Sequence, residues 1–289
     1  MPAPGDAEAD RVPASVTRVM DCHVHVFPDR IFEAIRKWFD THAWPIRYKL
    51  TAQEALDYLF SRGVDRIAAL QYAHKPGIAR ELNSFMARLC QRNEKAIGMA
   101  TVFPGERDAR KILEEAFGLG LHGVKLHSHV QCFDMGSGAM NEIYEVCAEQ
   151  GKPLIMHVGR EPKSEAYACD PYDLCAAGKV ETVLQNHPDL KLCVPHLGAD
   201  EFSAYRGLLE CFDHIWVDTT MMLAEYFPYT ITSEFEGMRT DRIMYGTDFP
   251  NIPYAWDREI KRVMAFDLSA DTQDRILFRN AVEFFSVPV

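Results

Sequence analysis

The sequence is short of the features that would place it quickly. No apolar run approaches the roughly 18 residues of a membrane-spanning helix, so a membrane span is not expected. Positive charge is in deficit, with 31 Lys+Arg against 42 Asp+Glu and a net charge of -11. A nucleic-acid backbone or an anionic membrane surface would need a basic face, so neither is an expected partner. Cysteine is dilute: eight residues with irregular spacing and no C-x-x-C pair, which fits neither a disulfide framework nor a thiolate metal site. No G-x-G-x-x-G follows the first strand pattern and no G-x-x-x-x-G-K-[ST] occurs, so the usual nucleotide-binding marks are missing. The start, MPAPGDAEADRVPASVTR, lacks the basic and apolar regions of a signal peptide. A reducing cytoplasm is therefore the expected compartment, with the cysteines as small core residues. What is present is ordinary for a globular chain: 289 residues, 47% hydrophobic and 25% charged, enough to bury a large core without staples.

Residues 1–17 are expected to be a flexible N-terminal tail, and 18–289 a single domain. Short apolar runs at 18–26, 66–72, 96–103, 122–128, 153–158, 191–197, 215–221 and 242–248 predict strands. Helical patterns fall between them, at 51–62, 78–92, 108–119, 140–150, 178–187, 202–212, roughly 231–238, 256–265 and 271–285. The segment from Thr51 to Glu54 is a capping box, and Gly63, Gly120, Gly151 and Gly178 fall where helices should start or stop. Strands alternating with helices imply parallel βα units, and the even spacing favours an α/β fold of the (β/α)8 TIM-barrel type over an open sheet.

The chemistry is expected where the strands end. His23 and His25 are two apart in the first strand and share one face. His157 ends the fifth strand, His196 the sixth and Asp248 the eighth, and in a parallel barrel those ends converge on one mouth. A single H-x-H pair arises often by chance, and a single strand histidine usually belongs to the core. Five such residues on one predicted register favour a metal site, with zinc first and manganese, iron or cobalt as alternatives.

The stretches DCHVHVFP, IMHVG, VPHLGADEF and YGTDFP, in this order, resemble the amidohydrolase superfamily. The branch they resemble is the amidohydrolase-related group that includes aminocarboxymuconate semialdehyde decarboxylase. The resemblance spans residues 18–285 and implies a distorted barrel with a metal held by His23, His25, His157 and Asp248. It further implies His196 as an acid/base residue, and it favours one ion over two. On the fourth strand, Lys125, His127 and His129 share one parity. Lys125 is a candidate for a carboxylated, metal-bridging lysine or for a contact to a substrate carboxylate, and His127 for substrate or second-metal contact.

With that ligand set, the metal would lower the pKa of bound water from about 15.7 towards about 7. Asp248 would take its proton, and His196 would stabilise an oxyanion or protonate a leaving group. The expectation is a metal-dependent hydrolase cleaving a C–N or C–O bond in an amide, lactone or ester. The alternative is a metal-dependent decarboxylase, a C–C lyase, on the same residues. A Schiff-base aldolase through Lys125 and a non-catalytic scaffold are the remaining rivals. The expected partner is a small molecule, with a carboxylate-bearing one compatible with the mouth, and the chain is compatible with a homo-oligomer. Tyr72, His74, Lys75, Asn251 and Tyr254 are loop candidates for substrate contact. Arg160 is either a carboxylate clamp or a rim ion pair with Glu161. Trp38, Phe39 and Trp44 lie in an insert after the first strand, where packing under a small lid is expected.

Overall fold

The computed structural model describes residues 5–160, 164–226 and 237–288. Eight parallel strands follow one another in chain order: β1 (Met20–His25), β2 (Arg66–Leu70), β3 (Ala96–Ala100), β4 (Gly123–His127), β5 (Leu154–His157), β6 (Leu192–Val194), β7 (Ile215–Asp218) and β8 (Ile243–Met244). The chain beyond β8 returns to β1. Cys22 N donates to Tyr245 O (3.0 Å), Asp248 N to His23 O (3.0 Å) and His25 N to Phe249 O (2.8 Å), completing a (β/α)8 barrel. The strands are apolar almost throughout because both faces are covered, one by the barrel interior and one by helices.

Two layers of core result. Val24, Val124, Leu126, Leu154, Met156, Val194 and Val217 face outwards against the helices. Met20, Cys22, Leu70, Met99, Ile155, Cys193, Trp216 and Met244 fill the interior, together with Phe278, Phe284 and Phe285 of the C-terminal segment. Strict alternation along β1 would put Val24 inside with Met20 and Cys22. Instead Asp21 pairs with Ile67 and Val24 with Ala69, so β1 advances three residues while β2 advances two. This bulge slips the register by one, sends Val24 out and turns His23 and His25 in.

All eight strands lie within the predicted runs, but they are shorter. His196 was expected to end the sixth strand and instead occupies a 3-10 turn (His196–Gly198) past β6; Asp248 lies four residues beyond β8. Both have left-handed backbones, φ 58° and 68°, which a strand cannot contain. Helix Ala52–Ser61 begins on the expected capping box, with Thr51 Oγ1 accepting from Glu54 N and Thr51 N donating to Glu54 Oε2 (2.7 Å). The insert after β1 is a helix, Asp29–His42, absent from the predicted set. Its apolar residues at 31, 32, 35, 38 and 39 do carry helical spacing. The pattern at 231–238 lies mostly outside the described residues.

The segment expected as a tail runs along the barrel from residue 5. Val12 N donates to Arg62 O (2.8 Å), and Ala9 N to Asp257 Oδ2 (2.9 Å). The Glu8 carboxylate accepts from Tyr58 OH (2.6 Å), Tyr48 OH and Arg47 Nη2 (2.9 Å). Burial pushes Glu8 up, but the two tyrosine hydrogen bonds and the charges of Arg47 and Arg62 outweigh it and hold it below its usual value. A depressed carboxyl stabilises the fold above its unfolded pKa, about 4.3, and loses that contribution as pH falls through the folded value. Glu8→Gln is therefore expected to lower the thermal midpoint at pH 7, and the gap to the parent protein should close below about pH 4. A gap independent of pH would remove the charge from this account.

Candidate metal centre

At the C-terminal mouth the bulge delivers His23 and His25 beside Asp248. His25 Nε2 is 3.0 Å and His23 Nε2 3.4 Å from Asp248 Oδ1, all three residues being buried. Such separations suit donors each about 2.0–2.2 Å from one ion. Gly246 permits the approach, since a Cβ there would lie 2.9 Å from His23 Cβ and 2.5 Å from Thr220 Oγ1.

Asp218, at the end of β7, orients this group and was not singled out from the sequence. Its Oδ2 lies 2.8 Å from His23 Nδ1, and its Oδ1 accepts from His196 N (3.0 Å). The carboxylate can only accept, so it assigns the His23 proton to Nδ1 and leaves the Nε2 lone pair facing Asp248. Burial, then the Lys125 charge, push His23 down to about 4, so its ring is neutral near pH 7. Burial would raise Asp218, but His23 and its hydrogen bond hold the carboxyl well below the usual range. Neutral imidazole and ionised carboxylate are the forms a metal requires. The sequence signal was available, since IWVD ends in an inward-facing acid at a strand terminus. Asp218→Asn is expected to weaken metal binding by about 10–100-fold, the usual cost of losing a partner that orients a ligand histidine. Competition against a chelator of known affinity measures this, and an unchanged affinity would contradict it.

A second relay fixes two more rings. His196 Nδ1 is 2.9 Å from Thr220 O, and a carbonyl can only accept, so Nδ1 carries the proton. His196 Nε2 then accepts from His157 Nδ1 at 3.2 Å, which leaves His157 Nε2 as its lone-pair nitrogen. His196 is held in a run of positive φ from His196 to Ala199. Gly198 is required there: its φ is 82°, and a Cβ would meet Tyr205 Cδ2 at 1.9 Å.

The sequence-predicted residues divide as follows. The donor atoms of His23, His25 and Asp248 form one group within 4.8 Å, and those of His127, His129 and His157 form another. The expected fourth ligand, His157, thus groups with His127 and His129 rather than with His23, His25 and Asp248. Its ring stacks on His127 at 3.9 Å and 12°, so these two rings present their nitrogens side by side rather than towards one point. His129 lies in the helical turn Ser128–Gln131, past the strand, so the expected strand parity does not reach it. Lys125 is fully buried beneath the mouth, with Nζ 3.3 Å from His23 Nε2. Arg160 Nε lies 3.2 Å from Asp200 Oδ1 and from Glu201 Oε2, and its guanidinium covers the Tyr172 ring. It lines neither cavity described below. Glu161 is outside the described residues. Tyr72 and Asn251 line the mouth, while Tyr254 is buried against Tyr226.

A cavity of about 260 Å³ sits over His25, His157, His196 and Asp248. Its walls include Trp38, Phe39, Trp44, Tyr72, Tyr167 and Tyr226. Trp38, Phe39 and Trp44 were expected to pack beneath a loop. They wall the cavity because helix Asp29–His42 lies over the mouth, and Trp44 Nε1 is anchored on Asn251 O (2.7 Å). A second cavity of about 550 Å³ adjoins it, sharing Trp38, Phe39, Tyr72, His127 and Tyr167. The cysteines are not all core residues, since Cys132 and Cys211 are exposed.

A family model described as amidohydrolase matches residues 20–287. A search of curated proteins found no match. Among solved structures, 5-carboxyvanillate decarboxylase from Sphingomonas paucimobilis superposes with a TM-score of 0.67 at 18% identity, over 94% of this chain and 100% of that one. The enzyme of the same name from Novosphingobium aromaticivorans, complexed with manganese and 4-hydroxy-3-methoxy-5-nitrobenzoic acid, gives 0.71 at 18% identity, over 97% and 100%. A 2,6-dihydroxybenzoate decarboxylase from Rhizobium gives 0.66 at 16% identity, over 94% and 99%. Likeness at these identities is a likeness of fold.

Proposed function

The chain belongs to the amidohydrolase family, and from that premise we propose that it is a metal-dependent decarboxylase of a small aromatic carboxylic acid. This takes the C–C lyase, the alternative in the sequence reading, in preference to the hydrolase placed first there. The observation that carries it is the cavity directly over His25, His196 and Asp248, walled by aromatic rings. At about 260 Å³ it falls below the usual range for drug-sized ligands and suits a single substituted ring. The decarboxylase names of the solved relatives support the same reading.

The donor set fits a divalent ion: imidazole nitrogens of His23 and His25 and the Asp248 carboxylate lie within 4.8 Å of one another, and His157, kept as the fourth ligand from the family resemblance, has Nε2 as its lone-pair nitrogen. Bound there, the ion would orient the substrate carboxylate and offset negative charge developing during the reaction. Manganese, present in the Novosphingobium structure, joins zinc as a candidate. The wall rings of Tyr72, Trp44 and Tyr226 hold the substrate ring by offset or edge contacts and exclude water. His196 rests with its Nε2 lone pair on the His157 Nδ1 proton; uptake of a further proton at Nε2 breaks that bond, and the resulting imidazolium delivers the proton to the ring carbon that bears the carboxyl group. A π pair of the ring takes the proton, and the C–C pair then restores the ring as CO2 departs. Asp218 and Thr220 act by keeping His23 and His196 in the required tautomers.

The test loads the protein with manganese or zinc and supplies carboxyl-labelled hydroxybenzoic acids beside aryl esters, amides and lactones. Labelled CO2 from an acid is expected, with no hydrolysis. Hydrolysis of an ester, amide or lactone without CO2 release would overturn the reading and restore the hydrolase.

A further inference from the structure

The helical turn after β4 and the segment carrying Tyr167 meet through sulfur. Cys132 Sγ is 3.8 Å and Cys169 Sγ 3.6 Å from the same acceptor, His129 O, so one carbonyl oxygen gathers both thiols. Cys132 is exposed and follows the turn Ser128–Gln131 with φ 50°, whereas Cys169 is half-buried. A third thiol nearby, Cys175, is fully buried, with Sγ 3.0 Å from Ser128 Oγ. Among the described residues no group of three metal donors includes a cysteine, so a thiolate metal cage is not what gathers them.

We propose that Cys132 and Cys169 are a redox-modification site, a thiol pair that closes into a disulfide at the rim of the metal centre on meeting a small-molecule disulfide. The order of attack follows from exposure. The Cys132 thiolate attacks the small disulfide, forming a mixed disulfide and releasing one small thiolate. Cys169, deprotonated as it attacks, then displaces the second small thiolate from Cys132 Sγ. Two protein thiols are oxidised by two electrons in all, and the small disulfide is reduced to two thiols. Burial, then the neighbouring Cys132 thiol, push the Cys169 thiol up to about 12, which suits the resolving position rather than the first attack. The Tyr167 ring contacts His129 (5.3 Å) and Trp38 (5.3 Å) and lines both cavities. A bond two residues away would pin that wall to the turn following His127, restricting exchange into the site.

This proposal does not depend on the decarboxylase reading, and its test needs no turnover. The reduced full-length protein, with its eight cysteines, is treated with glutathione disulfide and mapped without reduction. The expected result is a Cys132–Cys169 link that dithiothreitol reverses, with slower amide exchange over residues 164–170. Cys169→Ser should stop at glutathione on Cys132, and Cys132→Ser should leave Cys169 unmodified. Stable glutathione on Cys132 of the parent protein, a Cys169–Cys175 link, or no reaction at either residue would overturn it.

Discussion

Replacing His196 by asparagine is expected to leave metal content unchanged and to cut turnover by about 10²–10⁴-fold, the usual worth of a positioned acid/base group. Asparagine is the informative substitution because the backbone here is left-handed, φ 58°, and Asn tolerates that region better than most residues. The turn and the His196 N to Asp218 hydrogen bond are therefore retained, and the change removes the imidazole that can take up and release a proton at Nε2, together with the acceptor of the His157 Nδ1 proton. Metal analysis of the purified variant beside its kcat checks both halves. A variant lacking stoichiometric metal would make His196 a ligand and sink its assignment as proton donor.

Removing a ligand is expected to act the other way round, with metal and activity lost together and the fold kept. His25→Ala deletes a nitrogen 3.0 Å from Asp248 Oδ1, and its metal affinity should fall by more than the ~10–100-fold expected for the orienting residue Asp218. Treating the parent protein with a chelator should abolish turnover, and manganese or zinc should restore it in the parent but not in the variant. The barrel should survive because its interior core, including Met20, Leu70, Ile155 and Trp216 with Phe284, contains none of the proposed ligands. Circular dichroism and the thermal midpoint monitor this. An active metal-free protein would refute the metal-dependent mechanism.

Much of the architecture was legible in the sequence because it rests on local regularities. A strand covered on both faces must be apolar, and a parallel neighbour needs a helical crossover, so eight alternations left few topologies open. The meeting of His23, His25 and Asp248 was anticipated from their predicted strand positions, although Asp248 lies four residues past β8 and the β1 bulge is what turns the histidines inward. Asp218 could have been found by the same rule, but a buried acid before Thr219 and Thr220 carries no motif of its own. The helix Asp29–His42 also had a readable period, although its role as an aromatic wall depends on where it docks. Arg160 illustrates the limit: its spacing from His157 admitted a substrate clamp, and only the positions of Asp200, Glu201 and Tyr172 show where the guanidinium goes.

The sequence by itself determined the barrel and the family. It also determined that His23 and His25 share a face, since residues two apart in a strand always do. Which face they share was decided only in the tertiary structure. Along β1, simple alternation groups both histidines with the outward positions, opposite Met20 and Cys22. One extra residue between Asp21 and Val24, accommodated as a bulge against β2, reverses that choice. Likewise the proton positions on His23, His157 and His196 follow from Asp218 Oδ2 and Thr220 O, brought from β7 and the loop after it. Side-chain direction and tautomer are set by partners distant in the chain, and pairing register exists only once the strands have met.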